Sequence, residues 1–185
     1  MNDICDKLPK TLSKSDFNND YNLFLSAAYT VYKKVFIDNN ITFKGAPIQT
    51  NRAINCDLRY IGFEHVTTKD TGGYHKDYRT YNEKRIERVP WLKHLITGAE
   101  CSGVCDGYRV FSEIKHNKVQ FLIWCVDEDY LIVLEDRNTY YFLITAYCIL
   151  YDQKREQLEK SYLAYLHKTR LYTKCWGTTN RAFKR

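Results

Sequence analysis

Residues 119–148 read VQFLIWCVDEDYLIVLEDRNTYYFLITAYC, and this stretch decides the fold. It contains three runs rich in aromatic and β-branched residues, at 119–126, 130–135 and 140–148. The runs are separated by short, mostly polar segments, which suit the tight connections of antiparallel hairpins. The stretch therefore predicts three consecutive strands of an antiparallel meander.

The sequence on either side of the meander predicts one helix at each end of the sheet. Apolar residues recur every three or four positions over residues 16–38, which predicts an N-terminal helix. Residues 110–115 are interpreted as a further strand, residues 41–49 as a short edge strand and residues 151–167 as a last helix. The predicted fold class is α+β, with an N-terminal helix packed on a four- to five-stranded antiparallel sheet and a C-terminal helix.

Residues 60–68 hold the histidine on which the functional interpretation depends. They are rich in aromatic and β-branched residues, which predicts a strand. Because side chains alternate along a strand, His65 and Thr67 would then share one face and Thr68 would lie on the other. The glycine-containing residues 69–83 are predicted to form a loop.

Residues 85–96 have helical spacing but are interrupted by Pro90. Proline is tolerated only in the first turn of a helix, so a helix is predicted to begin near Pro90. The preceding arm, which carries Arg85 and Arg88, is then expected to be extended or turn-like.

Length and composition indicate an ordinary globular protein. The chain has 185 residues, of which 44% are hydrophobic, and no apolar run approaches the length of a membrane span. We expect one domain, organised as an N-terminal helical segment at 1–40, a core at 41–166 that includes the C-terminal helix, and a basic tail at 167–185.

The N-terminus and the cysteines indicate a cytoplasmic protein. The first residues have neither the basic start nor the apolar stretch of a secretory signal. The seven cysteines are odd in number and scattered, which favours reduced thiols. Cys101 and Cys105 could be half of a zinc site, but no second Cys/His pair stands at a suitable spacing. We therefore expect no metal and no other cofactor.

Positive charge is concentrated at the C-terminal end. Residues 150–185 contain nine Lys or Arg and three Asp or Glu, so this segment alone carries the net charge of +6. Cationic and aromatic residues together suit a nucleic acid, since cations neutralise phosphates and rings stack on bases. An equally ordinary interpretation is a solvated helix with a frayed tail. The nucleic-acid-binding candidates along the chain are Lys69, Lys84, Trp91, Lys168, Arg170 and Lys174.

A set of residue types suited to RNA cleavage surrounds His65 in the sequence. Cleavage without a metal needs one group to take the 2′-hydroxyl proton, a second to protonate the leaving 5′-oxygen, and cations to stabilise the charge on phosphorus. Histidine suits either proton transfer, and the planar fork of arginine matches phosphate. The candidate catalytic residues are His65, Thr67, Arg85, Arg88, Thr145 and Tyr147.

Each of these residues also has an ordinary structural interpretation. A single histidine is more often structural than catalytic, Arg85 and Arg88 flank Glu87 as in a salt-bridged helix entrance, and Thr145 and Tyr147 are common strand formers. Other chemistries lack their motifs: the sequence has no P-loop, no dinucleotide-binding glycine pattern, no Gly-x-Ser-x-Gly and no His-Glu-x-x-His. Only the complete set favours a nuclease.

Four segments, in order and spacing, resemble the phage- and mobile-element-associated members of the barnase, EndoU, colicin and RelE-like nuclease superfamily. They are GFEHVTTKD at 62–70, RIERVPW at 85–91, DEDYLIVLE at 127–135 and YYFLITAY at 140–147. The resemblance covers about 41–165, while the first 40 residues and the tail from 167 onward match no known pattern.

The resemblance implies N-terminal helices against a four-stranded antiparallel sheet and metal-independent cleavage of RNA. By position, it implies that His65 is the catalytic histidine with Thr67 beside it, that Arg85 or Arg88 binds the phosphate, and that Thr145 and Tyr147 form a polar pair. It does not say which group is base and which is acid. The expected function is an endoribonuclease that leaves a 2′,3′-cyclic phosphate, acting as a toxin or defence effector.

Two further expectations accompany this function. A toxin of this kind needs a cognate inhibitor, most simply an acidic protein that covers the basic face. The alternative function is a non-catalytic RNA- or DNA-binding protein on the same scaffold, and a purely structural or interaction protein comes third.

Overall fold

The fold is described from a computed structural model that covers residues 8–70, 79–98 and 107–176, with side chains described as far as residue 169. Its strands are β1 (Thr42–Phe43), β2 (Ala46–Gln49), β3 (Thr68–Asp70), β4 (Arg79–Tyr81), β5 (Tyr108–Lys115), β6 (Lys118–Cys125), β7 (Tyr130–Asp136) and β8 (Tyr141–Cys148). Its α-helices are α1 (Tyr21–Phe36), α2 (Ile61–Thr67), α3 (Glu83–Glu87), α4 (Trp91–Thr97) and α5 (Asp152–Trp176). The predicted α+β class is confirmed.

The main sheet has six strands in the order β1-β2-β8-β7-β6-β5. Strands β5 to β8 form the predicted antiparallel meander, which is confirmed by their pairing from Tyr108↔Cys125 to Asp136↔Tyr141, with one register shift between Val133 and Leu134. The prediction of a purely antiparallel sheet of four or five strands is wrong, because β2 joins the edge of β8 in parallel through Ile48↔Tyr141 and Gln49↔Phe142. This pairing ends at Phe142, so no described strand borders the rest of β8 on that side.

Each face of the sheet has its own hydrophobic core. One face packs against α1, α2, α3 and α4, with Phe24, Phe63, Leu92 and Ile132 fully buried between them. The opposite face packs against α5, where Phe111, Leu122, Trp124 and Leu158 are buried. These two cores explain why the meander strands carry apolar residues on both faces. None of the described helices is long and apolar enough to cross a membrane.

The N-terminal helix is shorter than predicted. Lys14–Phe17 forms a separate 3-10 turn, and Asn18 and Asn19 have positive φ, so the helix cannot begin at residue 16. The side chain of Asp20 then accepts hydrogen bonds from the backbone N–H groups of Asn22 and Leu23, which caps α1.

The C-terminal helix is longer than predicted. It continues past residue 167 to Trp176, so the basic segment begins inside α5 rather than as a separate tail. Two ion pairs hold the first half of the helix on the sheet: Arg155 with Asp129, and Glu159 with Arg109. The connection between α5 and the sheet is therefore electrostatic as well as apolar.

The strand predicted at residues 60–68 is wrong, because residues 61–67 form α2. The first two backbone N–H groups of this helix donate to Ala53 and Asn51 carbonyls, at 2.8 and 2.9 Å. Phe63 and Val66 are both fully buried, at the i, i+3 spacing of one helix face. Long-range capping and burial override the strand preference of the individual residues.

The segment after α2 is partly as predicted. Residues 71–78 of the predicted loop lie outside the described residues, while β3 and β4 pair as a short hairpin through Thr68↔Tyr81 and Asp70↔Arg79. The arm that was predicted to be extended or turn-like is helical at Arg85 and a turn at Arg88: Arg85 lies in α3, which Asn82 caps by accepting from the Arg85 N–H, and residues 88–90 form a turn. The predicted helix start near Pro90 is confirmed by α4.

Candidate active site

The candidate site lies at the open edge of β8, where α2 and α3 border the strand. Thr145 is the structural link, because its hydroxyl donates a hydrogen bond of 2.8 Å to the backbone carbonyl of His65. This bond joins the last strand of the sheet to the helix that carries the histidine. Two residues that are 80 positions apart in the sequence are thus held together.

The neighbouring contact joins α3 to the same strand. The guanidinium of Arg85 lies over the ring of Tyr147, with 5.5 Å between Cζ and the ring centroid, a cation–π geometry. Its Nη1 also donates to the backbone carbonyl of Thr68, at the end of α2. Arg85 therefore reaches from α3 to both α2 and β8, and it is held on two sides.

His65 is half-buried and carries a ring that is available for chemistry. Among the described residues its imidazole has no hydrogen-bond partner. Burial lowers the pKa of His65, the nearby charge of Arg79 lowers it further, and Glu64 opposes both. Because the usual value is near 6.5, the ring is neutral at pH 7 and can accept a proton.

Tyr147 is the second titratable group at the site. Burial raises the pKa of its hydroxyl, and the carboxylate of Glu113 on β5 acts in the same direction, while Arg85 opposes them. The hydroxyl is therefore protonated at neutral pH and can donate a hydrogen bond or a proton. The ring of Tyr147 thus lies against Arg85, and the backbone of His65 is bonded to Thr145 on the same strand.

Two of the six predicted catalytic residues are placed away from this group. Thr67 is fully buried and its hydroxyl donates to the carbonyl of Phe63, one turn back in α2. It does not share a face with His65, because residues two apart on a helix point in nearly opposite directions. Its expected position beside the catalytic histidine was based on the strand that α2 replaces.

Arg88 is the other predicted catalytic residue that makes no described contact with this group. Its guanidinium lies over Trp91, with 4.8 Å between Cζ and the ring centroid, and pairs with Glu87 at 3.6 Å. Among the described residues it contacts neither His65 nor Tyr147. The alternative interpretation of a salt-bridged helix entrance describes Arg88 well.

The predicted nucleic-acid-binding residues have different surroundings. Trp91 is 3% exposed and its indole N–H donates to the carbonyl of Pro9, so it cannot stack on a base. Lys69 and Lys84 are exposed, next in sequence to Thr68 and Arg85 of the site. Lys168 is exposed on α5, while the side chains of Arg170 and Lys174 lie outside the described residues, as do Cys101 and Cys105.

Sequence reasoning missed Arg79. The Nε of this residue donates to the hydroxyl of Thr68 at 2.7 Å, which brings a second arginine to the residue that already accepts from Arg85. No local signal marks Arg79, because its position depends on the return strand β4 pairing with β3. In the described part of the chain, no group of three or more His, Cys, Asp or Glu side chains is arranged to hold a metal ion.

Comparison with protein-family models, curated proteins and solved structures found no match.

Proposed function

We propose that this protein is a metal-independent endoribonuclease that cleaves RNA by attack of the 2′-hydroxyl on the adjacent phosphate. The observation that supports this most is that Arg85 lies over Tyr147 on β8, while Thr145 on the same strand holds the backbone of His65. These residues were predicted from their side-chain chemistry, and they come from three separate elements, α2, α3 and β8. The resemblance to the barnase, EndoU, colicin and RelE-like superfamily favours the same activity.

The directions of the pKa shifts of His65 and Tyr147 favour one assignment of the proton acceptor and the proton donor. The neutral imidazole of His65 removes the proton of the 2′-hydroxyl, and the 2′-oxygen forms a bond to phosphorus. The bond from phosphorus to the 5′-oxygen breaks, and the hydroxyl of Tyr147 supplies the proton that this oxygen takes up. Arg85 stabilises the charge that accumulates on the phosphate oxygens. Solvent then returns both side chains to their starting protonation states.

The proposed products are a 2′,3′-cyclic phosphate and a free 5′-hydroxyl end. An enzyme of this kind damages the cell that makes it, so we propose a role as a toxin or defence effector with a cognate inhibitor. The net charge of +6 favours an acidic inhibitor. A cytoplasmic location would give the enzyme access to RNA.

The direct test incubates purified protein with end-labelled single-stranded RNA in EDTA. We expect wild type to cleave, with products that carry cyclic phosphate ends, and His65→Ala to lose at least about a hundredfold in rate. The matched control is His116→Asn, which replaces an exposed histidine at a positive φ that asparagine tolerates. Equal cleavage by His65→Ala and wild type would refute the assignment of His65, and a strict need for Mg²⁺ would refute the metal-free mechanism.

The second candidate is a non-catalytic RNA- or DNA-binding protein. The observation that favours it is the exposure of Lys69, Lys84 and Lys168, which can neutralise phosphates without any chemistry. The same incubation separates the candidates. RNA binding without cleavage by wild type would favour this second function over the first.

A further inference from the structure

Thr68 accepts hydrogen bonds from two arginines. Its backbone carbonyl accepts from Nη1 of Arg85, and its hydroxyl accepts from Nε of Arg79 at 2.7 Å. The hydroxyl itself donates to the Glu64 carbonyl at 2.6 Å, which fixes its orientation at the end of α2. Two guanidinium groups from different elements, α3 and β4, are thus anchored on one residue.

Within the described residues, neither guanidinium forms an ion pair with a carboxylate. The ion pairs formed within the described parts of the chain include neither Arg79 nor Arg85. The carboxylate of Glu64, next to His65 in α2, accepts a hydrogen bond from the side-chain amide of Asn55. Burial lowers the pKa of Arg85, and the charge of Arg79 acts in the same direction. Holding two like charges together without an anion costs free energy that a bound anion would recover.

The unused nitrogens determine what kind of anion fits. Arg79 is exposed and uses only Nε in the described contacts, and Arg85 uses only Nη1. Each guanidinium therefore keeps donors that can bind further oxygens. Arginine forks match the tetrahedral oxygens of phosphate in paired contacts, and His65 lies close enough for the charge of Arg79 to lower its pKa.

We infer that Arg79 and Arg85 form a two-arginine site for the phosphate of an RNA phosphodiester, with Thr68 as the residue that positions both. This inference rests on the proposed function and adds a residue to it. Arg79 takes the place beside Arg85 that the sequence suggested for Arg88. The phosphate is held from two sides, next to the imidazole that would activate the 2′-hydroxyl.

Binding can be measured without cleavage by using a 2′-O-methyl RNA oligonucleotide, which has phosphodiesters but no attacking hydroxyl. We expect Arg79→Gln and Arg85→Gln each to weaken its binding about tenfold, because each loses hydrogen bonds to a charged phosphate. Arg88→Gln and the exposed control Arg52→Gln should change the affinity less than about threefold. Because Arg79 is exposed, its variant should fold even if Arg85→Gln does not.

Three outcomes would overturn the site. They are wild-type affinity in Arg79→Gln, an equal loss in Arg88→Gln, and binding of inorganic phosphate without binding of the oligonucleotide, which would make the ligand a free phosphate. If the wild-type protein cleaves no RNA but the variants show the expected affinities, the phosphodiester site stands and only the proposed catalysis is refuted. The failure of each proposal is therefore distinguishable.

Discussion

Gly62 is the residue whose replacement tests the docking of α2 most directly. A Cβ at this position would lie 2.3 Å from the hydroxyl oxygen of Tyr32 and 3.0 Å from both the Asn51 carbonyl oxygen and Thr50 Cβ. Tyr32 is fully buried and cannot swing away. Alanine is favoured over glycine inside a helix by up to about 1 kcal/mol, whereas overpacking a core costs about 1–3 kcal/mol. We expect the clash to prevail and Gly62→Ala to lose about 1–3 kcal/mol in the free energy of unfolding.

Tyr32→Phe supplies the matched partner for a double-mutant cycle. It removes the oxygen of the closest contact, and alone it should cost less than about 1.5 kcal/mol. In the double variant the new Cβ keeps only the two contacts at 3.0 Å, which small shifts can relieve. The double variant should therefore recover at least about 1 kcal/mol relative to the sum of the two single losses.

The assay for this cycle is urea unfolding of the four proteins, with the midpoint and the slope fitted separately. A midpoint that falls at constant slope reports stability alone. The reasoning is refuted if Gly62→Ala is as stable as wild type, or if the two losses simply add. RNA cleavage measured on the same samples should fall with Gly62→Ala even in the fully folded range, because α2 carries His65.

Three further predictions concern the site and the C-terminal segment. Thr145→Val should reduce the cleavage rate about tenfold, because it removes the hydrogen bond that holds the backbone of His65. The control Thr67→Val removes a similar hydrogen bond to a helix carbonyl outside the site and should retain the wild-type rate. Equal cleavage rates for the two variants would contradict the role of Thr145. The cleavage rate should fall on acidification as His65 is protonated, with a pKa below the usual 6.5. Arg79→Gln should move this acidic limb of the pH–rate profile to higher pH, because it removes one cause of the lowered pKa of His65 while Glu64 remains. An acidic limb that does not move would contradict the assignment of His65. Deleting residues 171–185 removes four cations and should flatten the slope of log affinity against log salt by up to about 3, whereas an unchanged slope would mean that the segment does not bind RNA.

The meander could be predicted because its determinants are local. The strands β6, β7 and β8 are joined by short turns, and positive φ at Asp129 and Asn138 is of the kind such turns require. The place of β2 could not be predicted, because its pairing with β8 is parallel and joins residues more than 90 positions apart. Sequence patterns contain little information on such distant pairs.

The error at residues 60–68 has a specific physical cause. Their composition favours a strand, but the carbonyls of Asn51 and Ala53 accept the first N–H groups of α2, and these residues lie outside the segment. The same dependence on distant residues limits what the sequence could predict about the site. Arg85, Thr145 and Tyr147 could be proposed from their side-chain chemistry, whereas the burial of Trp91 involves residues far away in the sequence, including Pro9 and Tyr130.

The open edge of β8 explains why the candidate site lies where it does. An edge strand exposes unpaired backbone groups that can bind other chains, and proteins commonly cover such edges with a helix or loop. Pairing with β2 ends at Phe142, and from there α2 borders the strand, joined to it through Thr145 and the His65 carbonyl. The helix that covers the edge thus also brings its histidine to the strand that carries Tyr147. A strand in place of α2 would instead pair its backbone with β8. Thr68 would then no longer follow the end of a helix, and it could not accept from Arg79 and Arg85 as it does.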